Sequence, residues 1–225
     1  MSVIRTPEGH FVLAHDSHLS RWVEEHKRLD IAEGQIAFYA QHIPLGGTVL
    51  DAGACIGDHT ATLARLVGPT GKVIAMEPNP EAYEALRLNF LGAPQVVTLN
   101  EGLAATSGHL RMKREQNAGA SFIDPTGDVN VSVVIIDSLC LDRLDFMHLD
   151  LEGFEPKALR GGEATIKRLR PVIVLEVCHS ALERNGSNEA ALRAQLDGLG
   201  YDVQEIEPHH GPHLPQRDII AFPRK

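Results

Sequence analysis

Short apolar runs alternate along the chain with stretches in which apolar residues recur at helical spacing. Val49-Leu50-Asp51 closes one apolar run, and the amphipathic stretch after it carries Leu63, Leu66 and Val67 before Gly68-Pro69 stops it. Gly71–Met76 reads as a second strand. Asn79 then suits an N-cap and Pro80 the first helical position. Tyr83, Leu86 and Phe90 mark the buried stripe of that helix, and Gly92 is its expected end. Gln95–Leu99, Leu144–Leu149 and Val172–Leu175 are the third, fourth and fifth strands. Pro156 opens a helical stretch that breaks at Gly161-Gly162, reaches Leu169 and ends at Arg170-Pro171. Ala190–Leu199 is a helix stopped by Gly200. Tyr201–Ile206 and Ile219–Phe222 are the last strands, and with no helix between them one must run antiparallel. Gly102–Met112 and Val131–Ile135 read as extra strands in a meander.

Strands that alternate with helices predict an α/β fold with a mostly parallel sheet. Residues 1–225 are expected to form a single domain, with 1–45 as an N-terminal extension and capping helix and 46–225 as a Rossmann-like core. In the extension, Phe11-Val12-Leu13 is a short strand, and Trp22, the only tryptophan, is expected to pack on the domain. Asp30 can cap a helix from Ile31 to about Gln41, with Ile36, Ala37 and Ala40 facing inward and Pro44 and Gly46-Gly47 after it.

Composition narrows the function classes. The net charge is −9 and no basic run appears, which argues against a nucleic-acid partner. The three cysteines, Cys55, Cys140 and Cys178, form no C-x-x-C pair and argue against a disulfide framework or structural zinc. No apolar run is long enough to insert into a membrane, and no charged n-region precedes an apolar h-region, so the expected location is cytoplasmic.

The candidate chemistry starts at Asp51-Ala52-Gly53-Ala54-Cys55-Ile56-Gly57. A strand, a glycine turn and a helix N-terminus make a nucleotide-sized site. The pattern D-x-G-x-x-x-G departs from the G-x-G-x-x-G of nicotinamide cofactors and suits S-adenosyl-L-methionine. The backbone at Gly53 would meet the amino-acid end of the cofactor, and Asp51 would accept from its ammonium directly or through water. Glu77 stands at the end of the second strand, 26 residues after Asp51, where an acid can hold ribose hydroxyls or favour the next helix N-terminus. Asn100, Glu101 and Gly102 follow the third strand, where an adenine ring would lie. Asn117–Ser121 is either a plain surface loop or a substrate contact. His209, His210 and His213 lie between prolines and read as a solvent loop more readily than as a metal site.

Three blocks carry a resemblance to a known family. Leu50–Gly57 looks like D-x-G-A-N-I-G with Cys55 at the asparagine. Val73–Pro80 looks like an acidic block ending E-P-N-P. His148–Glu155, with Leu159-Arg160-Gly161 and Arg170–Glu176, looks like K-I-D-V-E-G-x-E…L-x-G…R-P-x-x-x-x-E, with His148 at the lysine. On these blocks the chain resembles the FkbM-type S-adenosylmethionine-dependent methyltransferases. The resemblance implies a class I methyltransferase sheet of seven strands in the order 3-2-1-4-5-7-6. It also implies methylation of a hydroxyl on a sugar, glycolipid or secondary metabolite. The acceptor is then a small molecule or glycan, and a homodimer is compatible with the chain. Ala54, Gly57, Asn79 and Asp150 join Asp51, Gly53, Glu77, Glu101 and Gly102 as expected cofactor-binding residues.

Methyl transfer to an alcohol needs alignment and a proton acceptor. Asp150 is the first candidate for that base, supported by Glu152, Glu155 and Glu176. Each has a structural alternative: Asp150 as a cofactor anchor, Glu152 or Glu155 as a helix cap. His148, inside the fourth strand, reads as a buried structural histidine ahead of a base. Asp150 and Glu176 at neighbouring strand tips could hold Mg²⁺, with no third ligand evident. The rival readings are a non-catalytic S-adenosylmethionine-binding protein and, more weakly, a nicotinamide-dependent oxidoreductase.

Overall fold

A computed structural model describes residues 3–16, 18–30, 33–206 and 216–225. β1 (Val3–Arg5) and β2 (Phe11–Leu13) form an antiparallel hairpin. The helices α1 (Leu19–His26) and α2 (Glu33–Ala40) follow. The central run is β3 (Thr48–Ala52), α3 (Asp58–Val67), β4 (Lys72–Met76), α4 (Pro80–Asn89) and β5 (Val96–Leu99). Next come β6 (Gly102–Leu103), β7 (Gly108–Lys113), β8 (Phe122–Ile123) and β9 (Val129–Val134). β10 (Phe146–Leu149), α5 (Glu155–Gly161), α6 (Glu163–Leu169) and β11 (Val172–Cys178) continue the alternation. α7 (His179–Arg184), α8 (Glu189–Gly198), β12 (Tyr201–Glu205) and β13 (Gln216–Pro223) complete the chain.

The large sheet has seven strands in the order β12-β13-β11-β10-β3-β4-β5. Numbered within this sheet and read from β5, that is 3-2-1-4-5-7-6. The pairs from β11 through to β5 are parallel, and β13 runs antiparallel to both of its neighbours. β6 to β9 do not form a simple meander. They make a separate four-stranded sheet, β6-β9-β7-β8, in which β6 and β9 pair in parallel.

Period-two alternation gives the large sheet two apolar faces. Leu50, Met147, Leu149, Ile173 and Leu175 face α5, α6 and α8 through Leu159, Ile166, Leu192 and Leu196. Val49, Phe146, Val174 and Ile220 form the other face, under Tyr39 of α2 and Leu63 and Val67 of α3. On that second face the next residue along each strand is polar. Asp51 follows Val49, His148 follows Phe146, Glu176 follows Val174, and Asp218 precedes Ile220 on the antiparallel strand. The register sets His148 opposite Asp51 and Glu176 opposite Asp218. Hydrocarbon therefore gives way to charge at one end of one face.

Several boundaries differ from the sequence reading. β11 runs on to Cys178 because β13 pairs with it through Gln216, so Glu176 lies inside the strand and not at its tip. α4 stops at Asn89 with Phe90 as its C-cap, before Gly92. Among the described side chains of α2, Tyr39 is buried and Ile36 half-buried, while Ala37 and Ala40 are exposed. Asp30 binds Arg65 Nη1 at 2.7 Å. Trp22 stacks on His26 at 4.4 Å and packs against the apolar cluster that includes Val12 and Ile56. The stretch 208–213 lies outside the described residues.

Candidate active site

A cavity of about 490 Å³ lies over the C-terminal ends of β3, β4 and β10. Gly53, Cys55, Asp58 and His59 bound it on the β3–α3 side, and Glu77, Pro78, Gly102 and Leu103 towards β5. Residues 117–123 form the opposite wall, and His18 and Leu19 approach from the N-terminal region. His148, Asp150, Glu152, Glu176 and Asp218 line the remaining side.

The glycine turn is shaped first by the protein itself. Gly53 has φ +84°, and a Cβ there would stand 1.8 Å from the Asp150 carbonyl oxygen. Gly57 has φ +103°, and a Cβ there would stand 2.3 Å from the Phe90 ring. Both positions exclude a side chain with no ligand in view. Ala54 and Gly57 are absent from the cavity lining, whereas Cys55 belongs to it. Cys55 has φ +47°, a left-handed conformation that asparagine tolerates better than cysteine. Burial, with Glu77 nearby, pushes its thiol well above the ordinary range, so it is not a thiolate nucleophile.

Asp51 differs from its expected role. Its side chain is 0% exposed and is absent from the cavity lining. Oδ2 accepts from Thr60 Oγ1 at 2.5 Å and Oδ1 from His148 Nδ1 at 2.9 Å. These bonds and the complete burial keep Asp51 from direct contact with anything in the cavity. His148, 4% exposed, stands between Asp51 and that space. Its ring stacks on His59 at 4.2 Å, and Tyr39 Oη lies 3.4 Å from His59 Nδ1. Burial pulls the His148 imidazole down, but the Asp51 hydrogen bond and charge, with Asp218 and Asp58, leave it raised. Burial and the Asp51 charge push Asp58 up to about 7.

Glu77 lines the cavity and braces the turn around it. Its Oε2 accepts from Cys55 N at 2.9 Å and its Oε1 from Asn79 N at 2.7 Å. Burial raises it to about 7 against those two bonds. Asn79 is the N-cap of α4, accepting from Glu81 N at 3.1 Å, and does not line the cavity. Glu101 does not line it either, whereas Gly102 does. Asn100 donates to the Glu77 carbonyl at 2.8 Å and so fixes the end of β4.

The acids at β10 and β11 are held differently. Asp150 Oδ1 is buried with no hydrogen-bond partner among the described residues. Burial, then the charges of Glu176, Glu152 and Glu155, push Asp150 well up. Burial, Glu152 and Asp218 push Glu176 up to about 7. Glu152 has φ +51°, and its carboxylate lies 3.9 Å from Arg184 Nη2. Burial raises its pKa and Arg184 opposes this. One oxygen from each of Asp150, Glu152 and Glu176 lies within 4.8 Å of the others, so Glu152 stands beside the two acids for which the sequence reading found no third ligand. Glu155 belongs to the scaffold. It is 1% exposed, is absent from the lining, and its Oε1 accepts from Leu151 N at 2.8 Å and Gly153 N at 3.3 Å.

Asp218, Asp58 and His59 line the cavity without having been singled out in the sequence. Asp218 had one signal, its two-residue offset from Ile220 on a strand, but that offset has meaning only once the β11–β13 register is known.

This sheet order, with a glycine turn after its central strand and an acid after the next, defines the class I methyltransferase fold. The methyltransferase FkbM domain matches residues 51–203, more than half of the chain, and the chain belongs to that family. A hexuronic acid methyltransferase, AglP, of Haloferax volcanii is 28% identical over 131 residues, covering 55% of this chain and 53% of that protein. The chain thus spans about half the length of this curated relative. The crystal structure of methyltransferase FkbM from Methylobacillus flagellatus KT is similar, with a TM-score of 0.59 and 18% identity over 83% of this chain and 50% of that one. A Streptococcus mutans methyltransferase solved in complex with SAH has a TM-score of 0.56 and 14% identity, covering 84% of this chain and 96% of that one. Among the described residues, no helix is long and apolar enough to cross a membrane.

Proposed function

We propose that this chain methylates a hydroxyl of a sugar-type acceptor, as a free small molecule or within a glycan, using S-adenosylmethionine. The observation that carries the reading is one cavity in which Gly53, Glu77 and the Asp150–Glu152–Glu176 cluster converge. The AglP relationship supports a sugar as the acceptor class, and the net charge of −9 fits a partner other than nucleic acid. Bound S-adenosylmethionine supplies an activated methyl group on a sulfonium. The residues fit that group: Glu77 offers its remaining lone pairs to ribose hydroxyls, and Pro78 and Leu103 give adenine an apolar flank.

Asp150 lines the cavity, where in its ionised form it would receive the acceptor hydroxyl proton as the new C–O bond forms and the bond from the methyl carbon to sulfur breaks. Glu152 and Glu176 share the charge, so the cluster titrates as a unit. Mg²⁺ is a second reading, favoured by the three converging carboxylates. Asp150, Glu152 and Glu176 would hold it as hard oxygen donors, and its chemistry there would be to lower the pKa of the acceptor hydroxyl.

The test is transfer of labelled methyl from S-adenosylmethionine to a panel of neutral sugars, amino sugars and uronic acids, with and without EDTA. Label in an alkali-stable ether supports the reading. Label only in an ester or on nitrogen overturns it. Full activity in EDTA removes the metal.

A further inference from the structure

The cavity carries a pronounced imbalance of charge. Asp58, Glu77, Asp150, Glu152, Glu176 and Asp218 all line it, and no lysine or arginine does so among the described residues. The basic side chains that do are His18, His59 and His148. The proposed cofactor has a carboxylate in its amino-acid part, and among so many acids that group needs hydrogen-bond donors or a cationic partner.

Strand order indicates where that carboxylate lies. From β5 to β10 the sheet runs β5-β4-β3-β10, three strand spacings or about 14 Å. With ribose at Glu77 on β4, the apolar side of Gly102 and Leu103 takes the base. The amino-acid end then extends the other way, over Gly53 towards Asp58, His59 and His148. Its ammonium has several carboxylates to choose from. Among charged side chains its carboxylate has the imidazoles alone, beside the backbone N–H groups of the glycine turn.

His148 is the better placed of the two stacked rings. Its Nδ1 donates to the sealed carboxylate of Asp51 at 2.9 Å, which fixes the proton on that nitrogen and leaves Nε2 for another partner. His59 has Tyr39 Oη 3.4 Å from its Nδ1, and its Nε2 lies 3.9 Å from Asp58 Oδ2. Two imidazoles stacked at 4.2 Å resist carrying charge together, and Asp51 gives the charge to His148.

We infer that His148, oriented by Asp51, binds the carboxylate of the cofactor's amino-acid end, so that Asp51 acts on the cofactor through this imidazole. The assignment rests on the S-adenosylmethionine reading above. It makes residue 148 an affinity determinant for the cofactor and not a base for the acceptor.

The test needs no acceptor. Calorimetry would compare S-adenosylhomocysteine, its analogue lacking only the carboxyl group, and methylthioadenosine, which lacks the whole amino-acid end. Wild-type protein should bind the decarboxylated analogue at least ~10-fold more weakly than S-adenosylhomocysteine, the scale of one lost charge-assisted hydrogen bond. His148→Gln should weaken S-adenosylhomocysteine by a similar ~10-fold or more and leave methylthioadenosine within about threefold. His148→Lys should restore most of the loss. Equal affinity of the wild type for the two homocysteine-type ligands overturns the assignment even if no variant folds. A parallel loss of S-adenosylhomocysteine and methylthioadenosine binding in His148→Gln overturns it as well. Wild-type protein that binds none of the three overturns the cofactor reading itself, and this assignment with it.

Discussion

Asp51 and Asp150 stand near the ends of adjacent strands, β3 and β10, and are held in opposite ways. Asp51 is enclosed, with one oxygen bound by Thr60 and the other by His148. Asp150 keeps a buried oxygen with no partner and has three further carboxylates nearby. A buried acid with its bonds satisfied is part of the framework. A buried acid left unsatisfied raises the energy of the folded protein and is retained for what it does. Glu155 and Glu176 differ by position: Glu155 braces the turn after β10 through Oε1 while its Oε2 is buried without a partner, and Glu176 lines the cavity.

Substitutions at the two aspartates would break this comparison if it is wrong. Asp150→Asn should lower kcat by ~10²–10⁴-fold, the usual contribution of a positioned base, with little change in thermal midpoint or cofactor affinity. Methyl-transfer kinetics beside a melting curve would check it; a large drop in stability would move Asp150 into the framework. Asp51→Asn should act the other way round. It removes the charge facing a buried imidazole and should cost about 3–5 kcal/mol of stability in denaturant unfolding. A fully stable Asp51→Asn protein would mean that the buried pair is dispensable.

The acids also give stability a pH dependence of known sign. Glu77, Glu155 and Glu176 are each raised from 4.5 to about 7. A carboxyl raised in the folded state binds its proton more tightly there than in the unfolded chain. Its contribution is fully present below pH 4.5 and is lost as pH rises to about 7. The ligand-free protein should therefore melt higher at pH 5.5 than at pH 8, and Glu176→Gln should flatten that slope. A melting point that climbs steadily towards pH 8 would contradict the burial of these groups. The smallest effect is expected at Cys55. Cys55→Asn matches the left-handed backbone and should leave turnover within about tenfold, under ~1.4 kcal/mol of barrier.

The elements were legible in the sequence because their periods are local. Asn79 and Pro80 announced α4, and the strands from Val49, Val73, Val96, Phe146 and Val172 stood out as apolar runs. Glu77 and Asp150, each specified by one strand end, are among the expected site residues that line the cavity. Asp51 lies outside the cavity lining because Thr60 and His148 reach it across the fold, and a motif acid reads as ligand-facing until such neighbours are known. Gly57 likewise had a nearer reason for being glycine in Phe90. Asp218 depended on a register that no single strand encodes.

The match to the family begins at residue 51, yet the cavity does not. His18 and Leu19 help to close it, and Asp16 joins that segment to the opposite wall by accepting from Ser20 N at 2.6 Å and Ala118 N at 3.3 Å. The module that inheritance repeats across the family is thus smaller than the vessel in which this chain would work. Grafting residues 1–45 from one relative to another should change what the vessel admits and leave its floor intact, which makes this segment a natural place for new specificities to arise.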